Sequence, residues 1–159
     1  MLQEDIKIQN LLLHPQHIEM VAKWIYQEFD KGNQERTFEY VVNRFKNRNL
    51  NEIPLSLIAL IDNKCVGVVS IFGNDLETRQ ELTPWLAGLY VNPNYRCRGI
   101  ADKLINGVLE ICKNINYNVV FLRTEHASDY YKNHGWTLVE YTTDENGEET
   151  SIFVKKTMG

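Results

Sequence analysis

The alternation of apolar and polar positions predicts several β-strands along the chain. Ile6 and Ile8 alternate with polar residues, which is typical of a short strand with one solvated face. Residues 55–61 and 65–72 are nearly unbroken apolar runs, and the polar triplet 62–64 between them predicts a hairpin. Residues 85–91 are an unbroken apolar run, which is typical of a strand buried on both faces, and a turn is predicted at residues 73–75. Further strands are predicted over residues 118–125, 136–142 and 150–155, with a turn at 144–147 before the last of them.

Apolar residues recur at helical spacing in four other segments. The first predicted helix opens at residues 14–17, and its apolar face is formed by Ile18, Val21, Ala22, Ile25 and Phe29. Thr37 is predicted to cap the second helix, whose inward face is formed by Phe38, Val41, Val42 and Phe45. The third helix follows Ala101, and a short fourth helix carries Tyr130 and Tyr131 before Gly135.

The predicted order of elements is β-α-α-β-β-β-α-β-α-β-β. This pattern alone indicates an α/β or α+β fold, with one mixed sheet covered by helices. The chain has 159 residues, which is enough for one sizeable core. No repeat, low-complexity tract or linker interrupts it, so residues 1–159 are predicted to form a single domain.

The segment from the strand at residues 85–91 to the third helix shows the strongest candidate chemistry. Gly88 lies inside that strand, where glycine often marks a bulge or a close approach of a ligand. Arg96 to Ala101 then leads into the helix, whose N-terminus attracts anions. This turn either binds a phosphate, with Arg96 and Arg98 as charged donors, or merely connects strand and helix through Gly99. Neither GxxxxGK[ST] nor GxGxxG is present.

Composition narrows the class of protein. The formal net charge is −4, which argues against a general nucleic-acid binder. The three cysteines, Cys65, Cys97 and Cys112, are irregularly spaced, so neither a disulfide framework nor a zinc site is predicted, and the histidines show no metal-binding spacing. No signal peptide or membrane span is predicted, and we expect a cytoplasmic protein.

Two motifs carry a resemblance to a known family. Arg96-x-x-Gly99-x-Ala101, after a strand ending in Leu89-Tyr90-Val91, resembles the acetyl-CoA signature Q/R-x-x-G-x-G/A of the GCN5-related N-acetyltransferase (GNAT) superfamily. Residues 127–136 resemble the A-x-x-[FL]-Y-x-x-x-G-[FW] helix of the same superfamily. The resemblance implies the GNAT fold, with helices on both faces of a mixed sheet, and acetyl-CoA as the cofactor.

The resemblance also implies how acetyl-CoA is held. The pyrophosphate would bind the backbone amides of the signature, with Arg96 in support; the matching residues are Cys97, Arg98, Gly99, Ile100 and Ala101. The pantetheine arm would pair like an extra strand with main-chain groups of Leu89 and Val91, where Gly88 splays the strand. An N–H near Leu89 or Tyr90 would stabilise the oxyanion.

Tyr131 matches the family tyrosine that protonates the leaving sulfur, whereas Tyr130 would face the other side of the helix. The general base is less defined, because Trp85 occupies the position where some members carry a carboxylate. Candidates for the base are Glu81, Glu125 and His126, and a water relay is an equal alternative.

Cys97 departs from the family pattern, since relatives often carry glycine there. Binding through its N–H is expected if the φ of Cys97 is negative. Between two arginines its thiol is either open to oxidation or simply a small side chain in the loop.

The sequence therefore predicts an acetyl-CoA-dependent N-acetyltransferase that acetylates a primary amine, by direct attack in a ternary complex. A small-molecule acceptor is expected, and Glu28, Asp30 and Glu35 in the loop after the first helix either attract a cationic amine or are solvated. The alternatives are an acetyltransferase of protein N-termini or lysines, and a non-catalytic acyl-CoA-binding regulatory module. Family members often dimerise, so a homodimer is a further expectation.

Overall fold

The computed structural model describes residues 5–158. Its strands are β1 (Ile6–Asn10), β2 (Leu55–Ile61), β3 (Lys64–Phe72), β4 (Trp85–Val91), β5 (Val119–Thr124), β6 (Thr137–Thr143) and β7 (Glu149–Lys156). Its α-helices are α1 (Ile18–Ile25), α2 (Phe38–Lys46), α3 (Ile100–Asn114) and α4 (Ser128–Asn133). This order of strands and α-helices is the predicted one. Most element ends are shifted by a residue or two, but α1 is shorter than predicted, because a 3₁₀ turn, Pro15–His17, precedes it and a π-helical turn, Tyr26–Asp30, follows it.

The strands form one seven-stranded sheet in the order β1-β2-β3-β4-β5-β7-β6. β1 runs antiparallel to β2, with Ile6 opposite Ile61, and β7 runs antiparallel to both β5 and β6. β4 runs parallel to β5, with Trp85 opposite Phe121. The sheet is therefore mixed, which confirms the predicted fold class.

The chain divides into two compact units. The first unit comprises residues 5–70 and 88–108 of the described chain, and the second comprises residues 71–87 and 109–158. The prediction that residues 1–159 form a single domain stays a prediction.

In the first unit, helices cover both faces of the strands. Ile58 and Leu60 of β2 belong to a buried cluster with residues of α1 and α2. Leu57 points the other way, because successive strand side chains alternate, and it packs against α3. The approach there is close: a Cβ added at Gly107 of α3 would lie 3.1 Å from Leu57 Cδ1. This arrangement confirms, for the first unit, that helices flank both faces.

Two apolar residues of the predicted helix faces are exposed instead of buried. Phe29 is 56% exposed, because a π-helical turn, Tyr26–Asp30, follows α1 and rotates it off the buried face. Phe38 is 38% exposed at the start of α2, where its ring packs against Tyr26 with centroids 6.2 Å apart. The predictions for these two side chains were wrong.

In the second unit, Trp85 is fully buried in a cluster with Leu76 and Ile152. Its indole Nε1 donates a hydrogen bond to the carbonyl of Leu82 at 2.7 Å. At the β6–β7 turn, the carboxylate of Asp144 accepts hydrogen bonds from the N–H groups of Asn146 and Glu148. These contacts fix the predicted hairpin at residues 144–147.

The cap of α2 offers a test of the fold. The Thr37 hydroxyl accepts a hydrogen bond from the Tyr40 N–H at 3.1 Å. We expect Thr37→Ala to lower the free energy of unfolding by about 1 kcal/mol, because an N–H of the first turn loses its acceptor. Thr37→Ser should retain most of the stability. Urea denaturation measures both variants, and an unchanged midpoint for Thr37→Ala would contradict the cap.

Candidate active site

The turn between β4 and α3 has an unusual backbone. A 3₁₀ turn, Pro93–Tyr95, follows β4 and is fixed by the Asn92 side chain, which accepts the Asn94 N–H at 3.0 Å. Cys97 and Gly99 then adopt left-handed conformations, with φ of 64° and 79°. Backbones of this kind can aim successive N–H groups towards one concave surface, which is a common anion site.

The first turn of α3 receives no capping side chain from Gly99, the residue that precedes it. The Gly99 carbonyl accepts the Lys103 N–H at 3.2 Å, so Gly99 is the N-cap. A Cβ added at Gly99 would meet no atom within 4 Å, so the space beside it is open. Open space and the positive end of the helix dipole fit a pyrophosphate group. The predicted cofactor site is therefore consistent with the backbone geometry.

Cys97 has a positive φ of 64°, a conformation that glycine adopts easily and other residues adopt at a cost of roughly 1–2 kcal/mol. The condition stated from the sequence, a negative φ, is therefore not met. Binding through the Cys97 N–H stays a prediction. The thiol is exposed, and a redox role for it stays a prediction.

Cationic side chains lie beside this turn. Arg96 Nε donates a hydrogen bond to the Val91 carbonyl at 3.0 Å, and its guanidinium lies 5.5 Å from the centre of the Tyr90 ring. Arg98 and Lys64 both lie over the Tyr95 ring, at 5.1 and 5.6 Å. These contacts hold positive charge at the surface of the first unit, where it complements a phosphate.

β4 departs from regular strand geometry at Gly88, whose φ is 62°. This confirms an irregularity at that position, as its glycine predicted. Residues 87–90 are only half-buried, so the prediction of a strand buried on both faces is wrong for this part of β4. Tyr90 packs against Trp24 of α1, with ring centroids 5.5 Å apart. The roles of Leu89, Tyr90 and Val91 in cofactor binding stay predictions.

Tyr131 lies on α4 in the second unit and is 9% exposed. Its ring makes edge contacts with Tyr130 and Trp136, at centroid distances of 5.1 and 5.9 Å. Burial raises the pKa of the Tyr131 phenol, so the hydroxyl keeps its proton at neutral and mildly alkaline pH. Tyr130 instead stacks on His134, with centroids 4.0 Å apart. Tyr131 therefore has the protonation state that a general acid requires.

The second unit contains an open cavity of about 720 Å³ at the adjoining ends of β5, β6 and β7. Seven of its nine lining residues carry hydroxyl groups, and the other two are Glu125 and Glu149. Glu125 accepts a hydrogen bond from the Thr150 hydroxyl at 2.7 Å. All three candidate bases are exposed, and of these Glu125 lines this cavity, whereas Glu81 and His126 do not.

A charge cluster beside Glu125 was missed by the sequence analysis. Arg123 Nε lies 3.6 Å from an Asp75 carboxylate oxygen, and Arg123 Nη1 lies 3.6 Å from an oxygen of Asp144. Burial, opposed by Arg123 and assisted by the charge of Glu125, raises the pKa of Asp75 to about 6. Asp75 and Asp144 had been interpreted as turn residues. The available signal was Arg123 itself, because a charged residue within a mostly apolar strand requires partners.

The comparison with protein families decides the assignment. The model of the acetyltransferase (GNAT) family matches residues 18–136. The chain belongs to the GNAT family. It is therefore an N-acetyltransferase with acetyl-CoA as its acetyl donor, which confirms the predicted class and cofactor.

Solved structures of other GNAT acetyltransferases share the fold. An aminoglycoside 6′-N-acetyltransferase complexed with coenzyme A aligns with a TM-score of 0.76 and 14% identity, over 96% of this chain and 98% of its own. The aminoglycoside 6′-N-acetyltransferase from Enterococcus faecium aligns with a TM-score of 0.72, 14% identity and the same coverage. A chimeric spermidine N-acetyltransferase from Vibrio cholerae aligns with a TM-score of 0.73 and 11% identity, over 96% of this chain and 95% of its own.

No curated protein matches the sequence significantly. Among residues 5–158, no helix is long and apolar enough to cross a membrane. The cytoplasmic location stays a prediction.

Substitutions at Cys97 test the left-handed turn. We expect Cys97→Val to lower the free energy of unfolding by on the order of 1 kcal/mol, because a β-branched residue tolerates a positive φ poorly, and to weaken coenzyme A binding. Cys97→Gly should preserve both properties, and Cys97→Ala controls for loss of the thiol alone. Urea denaturation and titration calorimetry measure the two effects. Equal behaviour of the valine and glycine variants would contradict the turn geometry.

Proposed function

We propose that this acetyltransferase transfers the acetyl group directly to the primary amine of a small cationic molecule in a ternary complex. The observation that carries the proposal is the buried, neutral phenol of Tyr131, in the same unit as the acidic cavity at Glu125. Amine acetylation requires a proton acceptor for the amine and a proton donor for the thiolate, and a carboxylate and a neutral phenol can supply these two functions.

The cysteines support direct attack over an acetyl-cysteine intermediate. Cys65 and Cys112 are buried, and burial raises the pKa of each thiol to about 12. Both thiols therefore stay protonated and are poor nucleophiles at neutral pH. Cys97 is exposed, but it belongs to the turn assigned to the pyrophosphate.

The first unit would bind the cofactor, and acetyl-CoA supplies the activated thioester. In this proposal the N–H groups of residues 97–101 hold the pyrophosphate, with Arg96 and Arg98 adding positive charge. Main-chain groups of Leu89 and Val91 hold the pantetheine arm. An N–H at Leu89 or Tyr90 stabilises the oxyanion that forms when the amine attacks the thioester carbonyl.

The proton transfers would use residues of the second unit. The bound ammonium group first loses a proton to solvent, because only the neutral amine has a lone pair for attack. As the neutral nitrogen then bonds to the acetyl carbon, its next proton passes to a base, and we assign that base to Glu125. The carbon–sulfur bond then breaks, and Tyr131 donates its phenolic proton to the departing thiolate. Trp85 cannot be the base, since its indole is fully buried and donates to a carbonyl. Glu125 is preferred to Glu81 and His126 because it lines the cavity.

The charge around the cavity and the names of the structural relatives both support a cationic acceptor. Asp75, Glu125 and Asp144 surround the single cation Arg123 within this cluster, so local charge favours an ammonium group. Structural relatives include enzymes named for aminoglycosides and for spermidine, both of which are small cationic amines. A homodimer, expected from the family, is left for measurement in solution.

Tyr131→Phe tests the assigned acid. We expect kcat to fall on the order of 10²-fold, because the thiolate loses its proton donor, while calorimetry shows unchanged binding of acetyl-CoA. The ring, and hence its packing, is preserved. Tyr130→Phe, the adjacent tyrosine, is the matched control and should retain full activity. A wild-type rate in Tyr131→Phe would remove this residue from the mechanism.

Direct attack predicts that the enzyme is not acetylated by acetyl-CoA alone. Mass spectrometry of intact protein after incubation without amine should show the unmodified mass. Cys97→Ala should transfer acetyl groups at the wild-type rate, because no acetyl-thioester forms on the protein. An acetyl adduct on Cys97 that decays when an amine is added would replace direct attack with a two-step mechanism.

A further inference from the structure

The cavity in the second unit is unusually polar for a ligand site. Binding pockets are commonly lined by apolar and aromatic side chains with a few polar groups. Here the lining consists of hydroxyl-bearing residues and two carboxylates, and the Tyr141 ring is its main apolar surface. A ligand that fills this space must therefore satisfy hydrogen bonds over most of its own surface.

The register of three strands creates this lining. Thr150 of β7 lies opposite Thr142 of β6, and Ser151 lies opposite both Tyr141 and Thr124. The carboxylate of Glu125 is oriented by the Thr150 hydroxyl, which donates to Oε2. The second oxygen of the carboxylate remains able to accept a hydrogen bond from a ligand cation.

The charge of the lining favours a cation. Glu125 and Glu149 are the charged lining residues, and both are acidic. The Asp75 carboxylate adds negative charge nearby, since the charge of Glu125 contributes to the raised pKa of Asp75, and Arg123 offsets part of this charge. An ammonium group would therefore be attracted to this surface, and an anionic amine such as an amino acid would be disfavoured.

The hydroxyl groups distinguish between classes of amine. Each hydroxyl can both donate and accept a hydrogen bond. The Thr150 hydroxyl already donates to Glu125, and the Thr142 hydroxyl accepts a hydrogen bond from Arg79 Nη2 at 3.2 Å. An aliphatic polyamine in its protonated form offers only N–H donors and methylene groups, so it provides no acceptor for the other lining hydroxyls. A hydroxylated amine offers oxygen acceptors as well as donors. A ligand that leaves polar groups of its site unpaired binds more weakly than one that pairs them.

Size and position agree with such a ligand. A volume of about 720 Å³ exceeds what one sugar ring needs and lies in the range of sites for drug-sized molecules. Ser128, which lines the cavity, lies one helical turn before Tyr131 on α4, and residues three apart share a helix face. The cavity and the assigned acid are thus presented by the same short helix.

We propose that this cavity is the acceptor site, and that it selects a hydroxylated amine of the amino-sugar type over an aliphatic polyamine. The inference rests on the proposed function, since it names the acceptor of the same reaction. Glu125 binds the reacting group in its ammonium form, and Glu149 binds a second cationic or hydroxyl group. The threonine and serine hydroxyls form hydrogen bonds with the substituents of the sugar ring.

The first arm of the test compares acceptors. Thiol release from acetyl-CoA is measured with kanamycin, glucosamine and spermidine. We expect kcat/KM for kanamycin to exceed that for spermidine by at least on the order of tenfold, since the hydroxyls find partners only on the sugar. Turnover with spermidine at equal or higher kcat/KM would overturn the inference and leave the proposed function standing. If none of the three amines gave thiol release, this result would instead count against the proposed function.

The second arm locates the site with variants. Glu149→Gln and Thr143→Val should each raise the KM for kanamycin several-fold while kcat changes little, because each loses one contact to the bound sugar. Calorimetric titration of kanamycin into the enzyme should show the same loss of affinity, and acetyl-CoA binding should be unchanged. Glu148→Gln is the matched control, because it removes the neighbouring charge of the same hairpin outside the cavity. Equal KM values for the Glu148 and Glu149 variants would place the acceptor elsewhere.

Discussion

The close contact between α3 and β3 at Gly67 is the constraint on which the turn of residues 96–99, between β4 and α3, depends. A Cβ at Gly67 would lie 3.1 Å from both Leu104 Cδ1 and the Tyr90 carbonyl, and 3.3 Å from Ile100 Cγ2. The absent side chain lets the first turn of α3 lie directly on the strand. The chain leaving β4 must then reverse within a few residues, and left-handed conformations at Cys97 and Gly99 make that reversal. The helix start is thereby held in place by packing before any ligand arrives.

Local signals accounted for most of the fold. The hairpin at Asp62 and Asn63 was predictable because these two residue types tolerate the left-handed conformation, and their φ values are 51° and 65°. The turn between β4 and α3 was predictable only in part, because Gly99 adopts a left-handed conformation easily, whereas Cys97 gave no such signal. The exposure of Phe29 was not predictable, because a π-helical turn changes the rotation per residue. The spacing of the apolar residues does not indicate such a turn.

The acidic cavity could not be predicted, because it is produced by pairing between distant segments. Its lining comes from β5, β6 and β7, and β7 lies between the other two although it follows them in sequence. The ion pair of Arg79 with Glu140 joins residues 61 positions apart. A sequence pattern indicates which residues face one side of a strand, but only the strand order and register decide which hydroxyls meet which carboxylates.

The unequal burial of the three cysteines has a practical consequence. Cys65 and Cys112 are enclosed in the core and hold their protons firmly, whereas Cys97 is exposed in the turn assigned to the pyrophosphate. A maleimide or iodoacetamide dye at neutral pH would therefore label the native protein at Cys97 and not at the two buried cysteines. The molecule provides its own labelling position, without any engineered substitution, in the turn to which we assign the pyrophosphate.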